Sequence, residues 1–358
     1  MRVGIIGDGI SSLTLAKALI NENIYVDIFT TKKKNILNKS RTIGISKSNI
    51  EYFNSNILNI DKLIWKIKHI EIFSENLKNE KLINFKSNDN QLFSILRNYQ
   101  LYEILNKNLL KNKFFKKKYF NFNSSLIKNY EIVVITDYSH SFTKKFFSKK
   151  IIKKYNSLAY IAVLKHEKIL NNTATQIFTK NGPLAFLPIS SNETSVVYSF
   201  SDPQNLKKES VEKLIRNYNH KYKIDKFPPI NSFELQSISL RSYYHEKILA
   251  FGDLLHRVHP LAGQGFNMTI RDINFLIGII LDKIELGLPL DSSVCKEFEK
   301  KIRHKNFIFS NGIDFVHEFF TLESKLNNKI FGNTLKYLGQ NNSINKFFVN
   351  VADKGLVF

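Results

Sequence analysis

The chain of 358 residues carries 53 Lys and Arg against 31 Asp and Glu, a formal net charge of +22. With 43% hydrophobic residues it is long enough for a large buried core and predicts a globular protein. The single cysteine, Cys295, excludes an intrachain disulfide framework and a cysteine-rich metal or iron–sulfur site.

The excess of positive charge has two readings. It could attract an anionic partner, nucleic acid or a membrane surface, or it could reflect a lysine-rich composition throughout the chain. No nucleic-acid-binding motif accompanies the charge, so we favour composition and expect no nucleic acid partner. The N-terminus lacks the features of a secretory signal, and no stretch reaches the ~18 apolar residues of a membrane span. We expect a cytoplasmic protein, with peripheral membrane association left open.

The first thirty residues have the order strand, glycine turn, helix and strand. Residues 2–6 (RVGII) and 24–30 (IYVDIFT) are apolar runs typical of buried parallel strands, and residues 11–23 show helical spacing. This unit opens a doubly wound nucleotide-binding fold.

The turn GDGISS partly fits the dinucleotide fingerprint. Gly7 permits a tight turn, and Gly9 lets a pyrophosphate approach the helix start. Ser12 stands where the third glycine is usual, and Thr30 or Thr31 stands where an acidic ribose ligand is expected.

The rest of the chain alternates between two kinds of segment. Strand-like pieces in 66–95 and an antiparallel pattern over 151–200 interrupt the nucleotide-binding unit, and the chain after residue 251 is mostly helical. The expected fold is α/β: a Rossmann-like cofactor domain interleaved with a mixed or antiparallel-sheet substrate domain, followed by a helical C-terminal tail. The expected boundaries are 1–65, 96–150 and 241–330 for the cofactor domain, 66–95 and 151–240 for the substrate domain, and 331–358 for the tail.

A second stretch, FGDLLHRVHPLAGQGFNMTIRD, carries the strongest chemical signal. A strand ends in Gly252-Asp253, where a carboxylate can accept hydrogen bonds from a polyol chain. Pro260 shapes a turn, and Gly263 and Gly265 keep side chains away from a flat ligand. Free N–H groups at the following helix start favour negative charge, which a reduced isoalloxazine carries at its N1/O2 edge. The pattern therefore indicates a flavin.

These residues resemble the second FAD motif of the flavin-dependent aromatic hydroxylases, and among them the ubiquinone-biosynthesis branch. RTIGIS at 41–46, NYQLYEIL at 98–105, QIFTKNGPLAFLPI at 176–189 and the C-terminal stretch are similar to further segments of that family. The resemblance implies that the cofactor is bound by Gly7, Gly9, Ser12, Arg41, Gly252, Asp253, Pro260, Gly263, Gly265 and Asn267. It also implies a flavin ring lined by His259, Pro260, Gly263, Gln264 and Gly265, with no identifiable catalytic base and no metal.

The resemblance implies an enzyme that uses NAD(P)H to reduce FAD and O₂ to form a C4a-hydroperoxyflavin. That species would hydroxylate the aromatic ring of a prenylated phenol, and membrane contact or a biosynthetic protein complex could serve the substrate. Three departures, Ser12, Thr30 and Tyr138 after Asp137, favour an alternative: a redox-inactive structural subunit that kept the fold and lost tight FAD binding. A related flavin enzyme, such as a prenyl reductase or a halogenase, is a further alternative, and the halogenase is disfavoured because Trp65 is the single tryptophan.

Several residues keep two readings at this stage. His256 and His259 lie three apart, but no third ligand is evident, so hydrogen bonding is favoured over metal binding. Asp272 is expected to be structural, and Arg97 is either a cofactor contact or a helix-start charge. The lysine clusters at 111–118 and 144–154 predict solvated faces, although their Phe and Tyr residues would also suit a membrane-facing patch.

Overall fold

Three sheets and seven α-helices make up the part of the chain that the computed structural model describes. That part comprises residues 1–31, 37–75, 81–86, 91–201, 208–224, 226–259, 263–326, 349–351 and 353–355.

The strands are β1 Arg2–Ile6, β2 Tyr25–Phe29, β3 Thr42–Ser46, β4 Trp65–Ile67, β5 His69–Ser74, β6 Lys81–Lys86, β7 Phe93–Arg97, β8 Phe115–Lys118, β9 Ile132–Ile135, β10 Lys150–Lys165, β11 Thr173–Thr179, β12 Gly182–Pro188, β13 Glu193–Ser201, β14 Asn231–Leu240, β15 Tyr244–His245, β16 Ile248–Ala250 and β17 His256–Arg257. The helices are α1 Ile10–Asn21, α2 Lys47–Asn56, α3 Asn98–Leu110, α4 Ser141–Phe146, α5 Lys208–Tyr218, α6 Gln264–Glu285 and α7 Ser292–Leu326. Ser124–Asn129 and Gly252–Leu254 form 3₁₀ turns.

A six-stranded, mostly parallel sheet forms the centre of the part of the chain that the sequence predicts to bind the cofactor. Its order is β15-β16-β9-β1-β2-β8, and only the edge strand β15 runs antiparallel to its neighbour. Runs of Val and Ile in β1 and β9 are buried on both faces, because α1, α3, α6 and α7 supply residues to the same core. The strand–turn–helix–strand unit expected from the first thirty residues is confirmed.

An eight-stranded mixed sheet forms the second layer, in the order β17-β14-β10-β13-β12-β11-β5-β6. All its pairs are antiparallel except β11 with β5. Helix α5 packs on one face of this sheet and contributes Val211 and Ile215 to a separate apolar cluster. The expected fold class, with a parallel cofactor layer interleaved with a mixed-sheet layer, is confirmed.

Two short strands pair outside the boundaries expected from the sequence. β7 lies largely within the 66–95 segment but pairs with β3 and β4 in a small antiparallel sheet. β17, from the 241–330 segment, extends the large sheet by pairing with β14. The division into two domains stays our proposal, with these two strands exchanged. Most of the expected tail, residues 331–348, 352 and 356–358, lies outside the described residues.

The described helices include none with the combination of length and apolar composition needed to cross a membrane.

A buried polar cluster supports the parallel sheet on β2. The carboxylate of Asp27 accepts hydrogen bonds from the Tyr130 hydroxyl, at 2.6 Å, and from Lys118 Nζ, at 2.8 Å. Burial, followed by the hydrogen bond to Asp27, raises the pKa of Tyr130 above its ordinary value. The Tyr130 hydroxyl therefore stays protonated and serves as a donor to a carboxylate that water does not reach.

We expect Tyr130→Phe to lower the free energy of unfolding by about 1–3 kcal/mol, because it removes one of two donors from a buried carboxylate. The measurement is urea denaturation of the FAD-free protein. The matched control is Tyr119→Phe, since Tyr119 is 52% exposed. Equal losses in the two variants would contradict this role for the hydroxyl.

Candidate active site

The first glycine turn lies at the carboxyl edge of the parallel sheet. Gly7 has φ +109°, and a Cβ there would come within 2.4 Å of Thr136 Oγ1, so only glycine fits. Gly9 is the N-cap of α1, and a Cβ at Gly9 would meet nothing within 4 Å. The turn is thus closed towards β9 and open in front of the helix start, where an anion would bind.

Ser12 fills the position of the third fingerprint glycine without separating helix and sheet. Its side chain is fully buried, and its Oγ lies 2.6 Å from Thr136 Oγ1. Thr30, where an acidic residue was expected, is also buried, and its backbone N–H donates to the Lys118 carbonyl at 3.0 Å. These two departures are therefore integrated into the local packing.

The second motif contacts the first directly. Gly252 has φ +64°, and a Cβ there would lie 2.8 Å from the Cβ of Ser11 on α1. Glycine is thus required both by the backbone conformation and by the close approach of α1. Asp253 follows and is exposed, so its carboxylate is available beside the start of α1. This is the placement that binding of a polyol chain would need.

The start of α6 lies against β3, and we call the stretch from Gly263 to Asn267 the cradle. Gly263 is the N-cap of α6 in the left-handed conformation, with φ +62°, and its Cβ would lie 3.3 Å from the backbone N of Gly44. At Gly265 the nearest atom to an added Cβ is Val258 Cγ2, at 4.0 Å. Among the described residues, an added Cβ at Gly265 would therefore meet nothing closer than an ordinary van der Waals contact.

Asn267 holds this cradle together with four hydrogen bonds. Its Oδ1 accepts from the backbone N–H of Ser46 and from Asn49 Nδ2, both at 3.0 Å. Its Nδ2 donates to the carbonyls of Gly44, at 3.0 Å, and Gly263, at 3.2 Å. Both ends of this fully buried amide are satisfied by protein, so Asn267 positions the loop from behind.

One buried polar atom at the cradle is left for a ligand. Gln264 Oε1 is buried and accepts no hydrogen bond within the described structure. An unpaired buried acceptor is costly unless a bound molecule supplies the donor. His259 lies nearby in sequence, with its ring edge-on to Tyr155 at 5.1 Å, and Pro260 lies outside the described residues. The open glycines, the exposed Asp253 and this acceptor together fit a flavin cofactor.

His256 belongs to a buried hydrogen-bonded pair behind the cradle. Its Nε2 lies 2.6 Å from Asp272 Oδ2, and Asn306 Nδ2 donates to Asp272 Oδ1 at 3.2 Å. This contact supports the structural reading of Asp272. Within the described ranges, no three His, Cys, Asp or Glu residues come together as a metal site.

The two arginines considered from the sequence both reach across to the large sheet. The Arg41 guanidinium lies 5.6 Å from the centre of the Phe233 ring on β14. Arg97 Nη2 donates to Glu193 Oε2 at 2.5 Å. Arg97 is therefore more than a helix-start charge, because it joins the small sheet, through β7, to the large sheet at β13. Thr42 and Ser195, with their hydroxyls 2.9 Å apart, form a second link.

Three features of the site were missed by the sequence reasoning. Lys117 forms an ion pair with Asp8, and Lys118 with Asp27, so these two lysines of the 111–118 cluster are not part of a solvated face. Tyr138, in place of the family's glycine, accepts a hydrogen bond from Lys150. For the pair of Lys117 and Asp8, the sequence offered one signal: Asp8 places a carboxylate inside a turn that is expected to hold an anion, which calls for a neutralising cation.

We expect Asn267→Asp to lower the free energy of unfolding by about 2–4 kcal/mol and to weaken FAD binding. A carboxylate would set an acceptor against the Gly44 and Gly263 carbonyls and place an unpaired charge in the interior. Denaturant unfolding and FAD titration measure the two effects. Asn311→Asp is the control, because Asn311 is exposed and bonds only within its own helix. An Asn267→Asp protein as stable as that control would contradict the proposed clamp.

Comparisons with known proteins agree with this site. Residues 148–285 match a family described as FAD binding domain. The chain is 29% identical over 154 residues to the 3-demethoxyubiquinol 3-hydroxylase of Escherichia coli (strain K12), which covers 41% of this chain and 39% of that protein. It is 27% identical over 209 residues to the mitochondrial ubiquinone biosynthesis monooxygenase COQ6 of Danio rerio, covering 47% and 43%. The matches thus span less than half the length of these relatives.

Solved structures share the fold at low sequence identity. The p-nitrophenol 4-monooxygenase PnpA of Pseudomonas putida DLL-E4 superimposes with a TM-score of 0.78 at 12% identity, covering 97% of this chain and 96% of that one. HpxO of Klebsiella pneumoniae, solved with FAD and uric acid, gives 0.78 at 12%, covering 99% and 96%. Residues 148–285 of the chain are therefore similar to an FAD binding domain, the fold is the one that these two solved structures have, and the sequence is similar to hydroxylases named for ubiquinone biosynthesis.

Proposed function

We propose that this protein is an FAD- and NAD(P)H-dependent monooxygenase that hydroxylates the aromatic ring of a prenylated phenol. The observation that carries the proposal is the open cradle at the start of α6. There, Gly265 leaves the backbone uncovered and Gln264 Oε1 lacks a donor within the described structure. The relatives named as ubiquinone-pathway hydroxylases support this substrate class.

The residues at the sheet edge would divide the cofactor between them. Gly7 and Gly9 would receive the pyrophosphate at the α1 start, and the Asp253 carboxylate would accept hydrogen bonds from the ribityl hydroxyls. Gly263 and Gly265 would lie along the ring, and Ser12 would keep α1 close to the sheet from behind.

The N-terminus of α6 is the electrostatic element of the proposed reaction. This helix has 22 residues, and its first N–H groups lack intrahelical acceptors, so its dipole favours negative charge at the cradle. Bound FAD would supply the redox chemistry: reduction by NAD(P)H, reaction with O₂ and delivery of one oxygen atom to the phenol ring. The contribution of the chain is to bind, orient and exclude water, and none of the described side chains needs to act as a nucleophile.

Membrane contact belongs to the proposal as the route to a prenylated substrate. Leu110, Tyr119 and Phe120 are exposed apolar side chains, and exposed Lys111 and Lys116 lie close to them in the chain. Apolar and basic residues together are typical of surfaces that bind anionic membranes. A biosynthetic protein complex stays a prediction from the family resemblance.

The test is to purify the protein, record its visible absorption and identify any flavin released by heat. A flavin spectrum with released FAD, followed by phenol-dependent NAD(P)H oxidation and a product with one added oxygen atom, would support the proposal. A colourless protein that also fails to take up added FAD would contradict it and favour the redox-inactive structural subunit.

We expect Asp253→Ala to raise the Kd for FAD by at least about tenfold, because hydrogen bonds to a charged group contribute about 1.5–3 kcal/mol. Quenching of flavin fluorescence on binding measures this Kd. Asp282→Ala is the matched control, since Asp282 is an exposed carboxylate near the far end of α6. The assignment of Asp253 to the cofactor fails if the two variants bind FAD equally well.

A further inference from the structure

Asp8 is the middle residue of the first glycine turn, and its position raises an electrostatic problem. The turn lies between β1 and α1, where the helix start would receive the diphosphate of a dinucleotide. A carboxylate at this point would repel the diphosphate, and burial would strengthen the repulsion because little water screens it.

Lys117 offsets this charge from the neighbouring edge strand. Its Nζ lies 3.3 Å from Asp8 Oδ2, and the two side chains are only 8% and 10% exposed. β8 runs parallel to β2 with Lys117 opposite Ile28, so the lysine reaches the edge of the sheet where β1 and β2 end. It is a nearly buried cation that pairs across 109 positions of sequence with the middle of the glycine turn.

Lys117 stands on the same side as the missing acidic residue. The expected ribose ligand at the end of β2 is replaced by Thr30, whose backbone bonds to Lys118, the residue after Lys117. Two features therefore meet at this edge. No carboxylate follows β2 at Thr30, and a carboxylate with its own counter-ion lies in the glycine turn at Asp8. Only the carboxylate of Asp8 requires a neutralising positive charge before an anion can bind at the turn.

We infer that Lys117 is a positioning residue that makes the glycine turn competent for a diphosphate-bearing cofactor, by neutralising Asp8. The inference rests on the proposed FAD binding and assigns a part in it to a strand outside both sequence motifs. Removing Lys117 leaves an uncompensated carboxylate facing the diphosphate, whereas removing both partners restores a neutral turn. The single change is therefore expected to weaken diphosphate binding, and the double change to leave it near the wild-type level.

The experiment is a double-mutant cycle read by FAD affinity in the full-length apo-protein. The variants are Lys117→Met, Asp8→Asn and the pair together, with Lys116→Met as control because Lys116 is exposed on the same strand. We expect Lys117→Met to raise the Kd for FAD at least about tenfold, and the other three to stay within about threefold of the wild type. Riboflavin, the same ring system without phosphate, should bind all variants alike.

Thermal unfolding of each apo-protein controls for misfolding. If Lys117→Met does not fold, Lys117→Gln replaces it, since an amide can still donate to Asp8 but carries no charge, and the same rise in Kd is expected. Unchanged FAD affinity in the single lysine variant would overturn the inference, as would equal weakening in the single and double variants. A wild-type protein that binds neither FAD nor riboflavin would instead reject the proposed function itself.

Discussion

The geometry of the cradle depends on one buried amide. Asn267 joins the start of α6 to one continuous stretch of chain, the end of β3 and the start of α2, that lies 218 to 223 positions away in sequence. Because each of its four hydrogen bonds ends on a backbone group or another buried side chain, small shifts in any of these pieces would leave a polar group unpaired. These hydrogen bonds hold Gly44 and Gly263 close together, so that a Cβ on Gly263 would lie only 3.3 Å from the backbone N of Gly44.

The two halves of the candidate site are built by different physical means. The half at the start of α6 relies on uncharged elements: glycine backbone, an unpaired amide oxygen and a helix dipole. The half at the start of α1 contains opposite charges, since Asp8 and Lys117 lie within the fold next to the turn. A low dielectric makes the second arrangement sensitive to any change in the balance of charge. The candidate site therefore combines one half made of uncharged groups with another half that depends on the balance of charge.

The features that could be predicted from the sequence are those that depend on residues close together in the chain. The strand–turn–helix unit, a strand leading towards Gly252 and the start of α6 follow from apolar spacing and glycine placement. The structure has each of them, although the strand β16 ends at Ala250 and Gly252 begins a 3₁₀ turn. The long-range pairs could not be predicted. Lys117 lies in a lysine run of the kind that is typical of a solvated face. Glu193 is the first residue of β13, and only the arrangement of the sheets brings it next to Arg97. Periodicity reports which face is buried but does not identify the distant charge that lies opposite.

The contacts between the small sheet and the large sheet bear on how segments of this fold could be exchanged with those of related proteins. Glu193 and Ser195 start β13, in the strand set that would shape the substrate side, while their partners Arg97 and Thr42 sit on the small sheet of the cofactor side. Replacing the large sheet by that of another protein would remove both the ion pair and the hydroxyl contact. Both would be kept only if the new strand carried Glu193 and Ser195 at the same positions of the register. A chimera that exchanges the large sheet would therefore have to keep both members of these two contacts together.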